Sequence, residues 1–190
     1  MKRILLFACA LILLAPAAFA GGKKKNKEKE AAMAVAENNN EVHWMTLDEA
    51  QAAMKKQPKK VWMDVYTSWC GWCKVMDKKT FTNPDVIKYL NQHFYAVKLD
   101  AEQKDSISFM GKKYGFVPEE RANHFAVEIM RGQMSYPTSV YMEEGFQSPM
   151  CIPGYQEVPA MEMILKYLAE GIYKKTPFPE YQEKFVGTWK

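Results

Sequence analysis

The chain has 190 residues, 48% of them hydrophobic and 25% charged, with a formal net charge of +4. So small an excess makes no electrostatic case for nucleic-acid binding. About 150 residues remain once the terminal segments described next are set aside, enough for one domain with a real core, and no internal repeat is present.

In chain order, Lys2 and Arg3 precede an apolar run from Ile4 to Leu14, and Pro16 leads into Ala18-Phe19-Ala20. This pattern predicts a secretory signal peptide over residues 1–20, cleaved after Ala20. The run is too short to be a comfortable membrane span, so no stable span is expected after cleavage. Cys9 has the residues of a lipidation site before it, but it sits inside the apolar run with too little chain ahead, which disfavours a lipoprotein. The expected location is periplasmic or secreted, a compartment that permits disulfides. Loss of Lys2 and Arg3 would lower the net charge from +4 to +2. Residues 21–41, with the charge run Lys23 to Glu30 and almost no branched or aromatic side chains, read as a flexible charged linker. A membrane-surface role for its lysines is the second reading.

Val42 to Met45 is expected as a short edge strand. Thr46 with Glu49 three positions on is a capping-box signal, and Leu47, Ala50 and Met54 give the following helix its apolar stripe. Lys60 to Thr67 is apolar on both alternating faces, as a central strand should be. Directly after it stands Trp69-Cys70-Gly71-Trp72-Cys73, opening a helix expected to run to about Thr80. Asn83-Pro84 restarts a helix with a cap and a first-turn proline. Phe94 to Leu99 is the next strand, and a helix is expected from Asp105 through Tyr114. Pro118 opens another, with Ala122, Phe125, Ala126, Ile129 and Met130 on one face and Gly132 as its end. Thr138 to Met142 and Pro149 to Ile152 read as strands, and Pro159 to Lys174 as the last helix. These elements imply an α/β fold with a mixed sheet covered on both faces. Residues 176–190 form a C-terminal tail, either packed on the surface or serving as a partner-binding arm.

The chemistry concentrates in the cysteine pair. A strand leading into a helix that opens with Cys-x-x-Cys puts the first sulfur at the positive end of the helix dipole. There a thiol pKa falls from about 8.5 toward roughly 3.5–7.5. A nucleophilic first thiol and a nearby resolving one are what thiol–disulfide exchange requires. A zinc site would need two further ligands from Cys151 and three histidines that lack metal-type spacing. A purely structural bridge would close too small a loop to stabilise much. No metal or other cofactor is therefore expected. Cys151 reads as a buried free thiol, with intermolecular exchange as the alternative.

The chain resembles the thioredoxin superfamily over most of residues 42–175, in the form of an exported bacterial protein with a Cys-Gly-Trp-Cys motif. Asp64, six residues before Cys70, stands where thioredoxins carry a buried acid, and Lys98 matches the lysine near it. Tyr136-Pro137-Thr138 matches the loop whose proline is cis beside the redox pair. Residues 116–135 depart from the pattern as a helical insertion before that loop, either extra core or a substrate-selecting wall.

The resemblance implies a fold and a set of roles. The fold is thioredoxin-like, with a central mixed sheet flanked by helices. Cys70 would be the nucleophile and Cys73 the resolving thiol, joined as the redox disulfide. Asp64 would take the Cys73 proton and Lys98 would tune it. Trp69, Gly71, Trp72, Tyr136 and Pro137 would contact substrate. The expected activity is that of an envelope protein thiol–disulfide oxidoreductase, with protein disulfides and an upstream electron donor as partners. Gly71-Trp72 supplies no cationic or imidazole donor to stabilise a thiolate, which favours the reductase direction. The alternative is a non-catalytic thioredoxin-like module that binds a partner.

Overall fold

The computed structural model describes residues 40–190. The expected signal peptide, Cys9 and nearly all of the expected linker lie outside the described residues. Thr46 caps α1 (Leu47–Lys56) through the reciprocal capping box with Glu49, just after the edge strand β1 (Trp44–Met45). The central strand β2 (Lys60–Tyr66) then leads to α2 (Gly71–Lys79), α3 (Pro84–His93) and β3 (Phe94–Asp100). After an irregular stretch, described below, the chain returns through β8 (Thr138–Glu143) and β9 (Gln147–Pro153) to α5 (Val158–Ala169).

The five-stranded sheet has the order β1-β3-β2-β8-β9. Strand β2 runs parallel to β3 and antiparallel to β8. Alternation along β2 assigns each face its core. Val61, Met63 and Val65 pack on the α1 side, and Trp62 packs against Met76 of α2, Ile87 and Leu90 of α3 and Leu165 of α5. Asp64 follows Trp62 by two and belongs to the same face. In register it lies beside Lys98 of β3 and Ser139 of β8, so three polar residues form one row across the sheet.

Three expectations are corrected. The segment expected as a helix from Asp105 to Tyr114 is a β-hairpin, β4 (Ile107–Phe109) and β5 (Lys112–Tyr114). Its turn places Met110 and Gly111 at φ of 50° and 82°. Ile107 and Phe109 alternate with Ser108 at the strand period, and Ile107 and Tyr114 are buried in the α1-side core. The inserted helix does not begin at Pro118. A second small hairpin, β6 (Phe116–Val117) and β7 (Ala122–Asn123), comes first, and Asn123 caps the six-residue α4 (His124–Ile129). Its Phe125, Ala126, Ile129 and Met130 are all buried in the α1-side core, so this face serves as core covering. The last helix, expected to reach Lys174, stops at Ala169; Gly171, at φ 69°, turns the chain into a single 3-10 turn.

The tail is packed on the surface. It forms α6 (Phe178–Lys184) and then an extended end whose Thr188 and Trp189 backbone N–H groups donate to Glu162 of α5. Thr188 Oγ1 and Lys166 Nζ also donate to this fully buried carboxylate, at 2.9 and 2.6 Å.

Candidate active site

Cys70 is the N-cap residue of α2, and its Sγ accepts the Cys73 backbone N–H at 3.0 Å. This is the capping geometry that Ser or Asp supplies elsewhere, with sulfur as acceptor. Cys70 and Cys73 are joined as a disulfide with their Cα atoms 5.3 Å apart. The pair is nearly covered: the residues are 4% and 3% exposed, whereas Trp69 just before the pair and Trp72 within it are 64% and 61% exposed. Gly71 opens α2, and a Cβ there would meet nothing within 4 Å.

Each indole is held by a tyrosine. Trp69 meets the ring of Tyr136 edge-on at 5.8 Å, and its Nε1–H donates to Glu102 at 3.0 Å. Trp72 stacks on Tyr155, centroid to centroid 5.4 Å at 30°. The Tyr136–Pro137 bond is cis. The Pro137 carbonyl accepts the Gly154 N–H at 2.8 Å, which ties the proline loop to the segment leaving β9.

On the helix-covered face, Asp64 is 2% exposed, and its Oδ2 accepts from Lys98 Nζ at 2.7 Å. Its Oδ1 and the nearby row partner Ser139 Oγ have no hydrogen-bond partner. Burial pushes the Asp64 carboxyl above the ordinary carboxylate value, and the Lys98 charge only partly opposes that. Lys98 also bonds Asp77 of α2 and lies over the Trp44 and Tyr66 rings at 4.8 and 5.1 Å. Burial disfavours its charge, but the two carboxylates outweigh it and the lysine is held above its usual value.

The sequence-predicted residues thus fall in two groups. Trp69, Cys70, Gly71, Trp72 and Cys73 form the disulfide segment, and Tyr136, next to the cis Pro137, meets it through Trp69. Asp64 and Lys98 pair beside each other on the sheet face that α2 covers. Cys151 joins neither: it sits on β9, a half-buried free thiol donating to the Ile129 carbonyl at 3.4 Å, with its pKa raised by burial. Sequence reasoning missed Asp77, Glu102 and Tyr155. Only Asp77 left a signal, standing one helical turn after Cys73.

The arrangement holds two sulfurs that can interconvert between disulfide and dithiol, with a helix N-terminus aimed at the first. Comparisons with known proteins agree with this geometry. Residues 23–176 match the family profile Thioredox_DsbH, described as a protein of unknown function, DUF255. Spermatogenesis-associated protein 20 of Mus musculus is 32% identical over 69 residues, 36% of this chain and 9% of that one. The thiol:disulfide interchange protein DsbD 2 of Pseudomonas aeruginosa is 36% identical over 62 residues, 33% of this chain and 10% of its own length. The matches thus cover about a tenth of the length of these curated relatives. A putative disulphide-isomerase from Bacteroides thetaiotaomicron superposes with a TM-score of 0.50 at 22% identity, over 72% of this chain and 98% of the other, and shares the thioredoxin fold. With the profile spanning the sheet, the cysteine pair and the cis-proline loop together, the chain belongs to the Thioredox_DsbH (DUF255) family of thioredoxin-like proteins.

Proposed function

We infer that this chain is a thiol–disulfide oxidoreductase that reduces protein disulfides in the cell envelope. The observation that carries the reading is the Cys73 N–H directed onto Cys70 Sγ at the start of α2. In the dithiol form that donor and the helix dipole favour a thiolate on Cys70. The thiolate attacks one sulfur of a substrate disulfide, and the other substrate sulfur leaves as a thiolate. Cys73 then loses its proton, with Asp64 as the acceptor, and attacks Cys70 Sγ. The second substrate sulfur departs, and the Cys70–Cys73 disulfide forms. An upstream dithiol donor returns the pair to the reduced state.

Gly71-Trp72 between the cysteines offers no positive group to stabilise the thiolate further, which supports the reductase direction. The signal-peptide pattern of residues 1–20 supports the envelope. The test is a Cys73→Ser chain, which should accumulate a mixed disulfide through Cys70 with an envelope protein, together with insulin reduction by the native chain. No adduct and no insulin reduction would favour a partner-binding module instead. A reduction potential near −120 mV, that of a strong oxidant, would reverse the direction.

A further inference from the structure

A residue outside the Cys-x-x-Cys segment and the cis-proline loop supports one of the exposed indoles. Tyr155 follows Gly154, whose φ of 90° and N–H bond to the Pro137 carbonyl fix the course of the chain at that point. From there the Tyr155 ring covers one face of Trp72 at 5.4 Å. Trp72 is nonetheless 61% exposed, so its other face is open. Among the described residues only four large hydrophobic side chains are exposed, and two of them are Trp69 and Trp72. Exposed indoles set beside a reactive group, each already seated against a tyrosine, have the composition and rigidity of a binding hot spot. Trp69, Gly71, Trp72, Tyr136, Pro137 and Tyr155 carry no charge, and Glu102, whose carboxylate accepts from the Trp69 Nε1–H, is a charged neighbour of the rings named here.

We propose that Tyr155 is a positioning residue for substrate. It fixes Trp72 as a rigid aromatic wall, so that the site prefers extended segments with an aromatic side chain two residues from the cysteine. This rests on the thiol–disulfide exchange proposed above. In an extended segment, residues two apart share a face. A substrate that turns its cysteine toward Cys70 therefore turns its −2 and +2 side chains toward the indoles. A ring there gains an aromatic pair with Trp72 only if Trp72 is held in place, and such a pair corresponds to about a two- to tenfold preference.

The test is a competition. The Cys73→Ser chain is equilibrated with two peptides in equal amount, each as its glutathione mixed disulfide, one with Phe and one with Gly at both −2 and +2. The Cys70 thiolate attacks the peptide sulfur and expels glutathione thiolate, so one disulfide breaks for each that forms. Peptide mapping then counts adducts at Cys70. The expected result is several-fold more of the Phe adduct, a ratio near one when Tyr155→Ala is added, and a retained ratio with Tyr155→Phe. Tyr155→Leu, which keeps apolar bulk without the ring, should fall between them and guards against loss of folding in the alanine variant. Equal adducts in the Cys73→Ser chain, or a ratio that Tyr155→Ala and Tyr155→Leu leave unchanged, would overturn the proposal. A preference that persists in a chain unable to reduce any protein disulfide would support it while sinking the reductase reading.

Discussion

Replacing Asp64 by asparagine should make the protein more stable and less active at once. Asp64 is 2% exposed in a strand whose neighbours Met63 and Val65 are fully buried, and one carboxylate oxygen has no partner. Its other oxygen bonds Lys98, but Lys98 also has Asp77. The substitution therefore removes a buried charge without leaving the lysine alone, and the new amide oxygen still accepts from Nζ. Replacing a buried ion pair by packed neutral groups is neutral or stabilising by about 1–4 kcal/mol, and the usual cost of removing one partner, a charge left uncompensated, does not arise here because Lys98 keeps Asp77. The retained lysine bond places this case near the lower end, roughly 1–2 kcal/mol. At about 2–4 °C per kcal/mol for a domain of this size, the melting temperature rises by several degrees.

The sign of the pH dependence is fixed by the direction of the shift. The folded carboxyl sits above the ordinary value of 3.8, so between the two values the folded state binds more protons than the unfolded chain. Stability contributed by the protonated carboxyl is complete below about 3.8 and is lost as pH rises through the folded value. The advantage of Asp64→Asn is accordingly absent at pH 3.5 and grows as pH rises through the folded value. Urea denaturation of the oxidised protein at pH 3.5, 5 and 7.5 measures it. On the proposed mechanism, loss of Asp64 as proton acceptor should meanwhile slow release of the mixed disulfide, with general-base contributions of about 10²–10⁴-fold as the ceiling. A variant less stable than the native chain at pH 7.5 would refute the reasoning, because the pairing with Lys98 would then outweigh desolvation.

Two further outcomes follow from the packing. Glu162→Ala should release the C-terminal strap at a cost of about 2 kcal/mol, since its charged acceptor serves Thr188 and Trp189 while their freed amides regain water. Burial under the strap opposes the Glu162 charge, but the four hydrogen bonds it accepts win and hold the pKa below 4.5. The native strap should therefore loosen only as pH falls through that lowered value. Hydrogen exchange at the Thr188 and Trp189 amides reads both effects, and unchanged protection in the variant would sink the assignment. Gly154→Ala should cost about 1–2 kcal/mol from its φ of 90° alone, since a Cβ meets nothing there. Gly71→Ala, equally uncrowded but without a positive φ, should be neutral or stabilising by about 0.4–1 kcal/mol. Equal melting temperatures for the two variants would contradict this contrast.

Much of the frame is legible in the sequence because its causes are local. Thr46 and Asn83 cap helices through atoms two or three residues away, and the double-sided apolar run of β2 marks a central strand before its neighbours are known. Cys70 at the start of α2 belongs to the same class. The segment 107–114 departs from the expected helix because its four apolar residues across eight positions, Ile107, Phe109, Met110 and Tyr114, fit a short helix as well as a hairpin. Its positive-φ turn at Met110-Gly111 becomes decisive only when Phe109 finds the rings of Phe125 and Phe146. The helix expected from Pro118 begins instead where Asn123 is fully buried and its N–H finds the Ala101 carbonyl.

Local sequence signals place the cysteine pair and the strand and helix that present it, and the family resemblance names the acid, lysine and proline to look for around it. Long-range packing alone shows that Asp77 shares Lys98 with Asp64, that Glu102 holds Trp69, that Tyr155 backs Trp72 and that Glu162 fastens the tail. These partners lie 21, 33, 83 and 26 residues apart in the chain. No periodicity spans such distances. Sheet register and helix packing bring these residues together, and those depend on which faces of many segments must leave water at once.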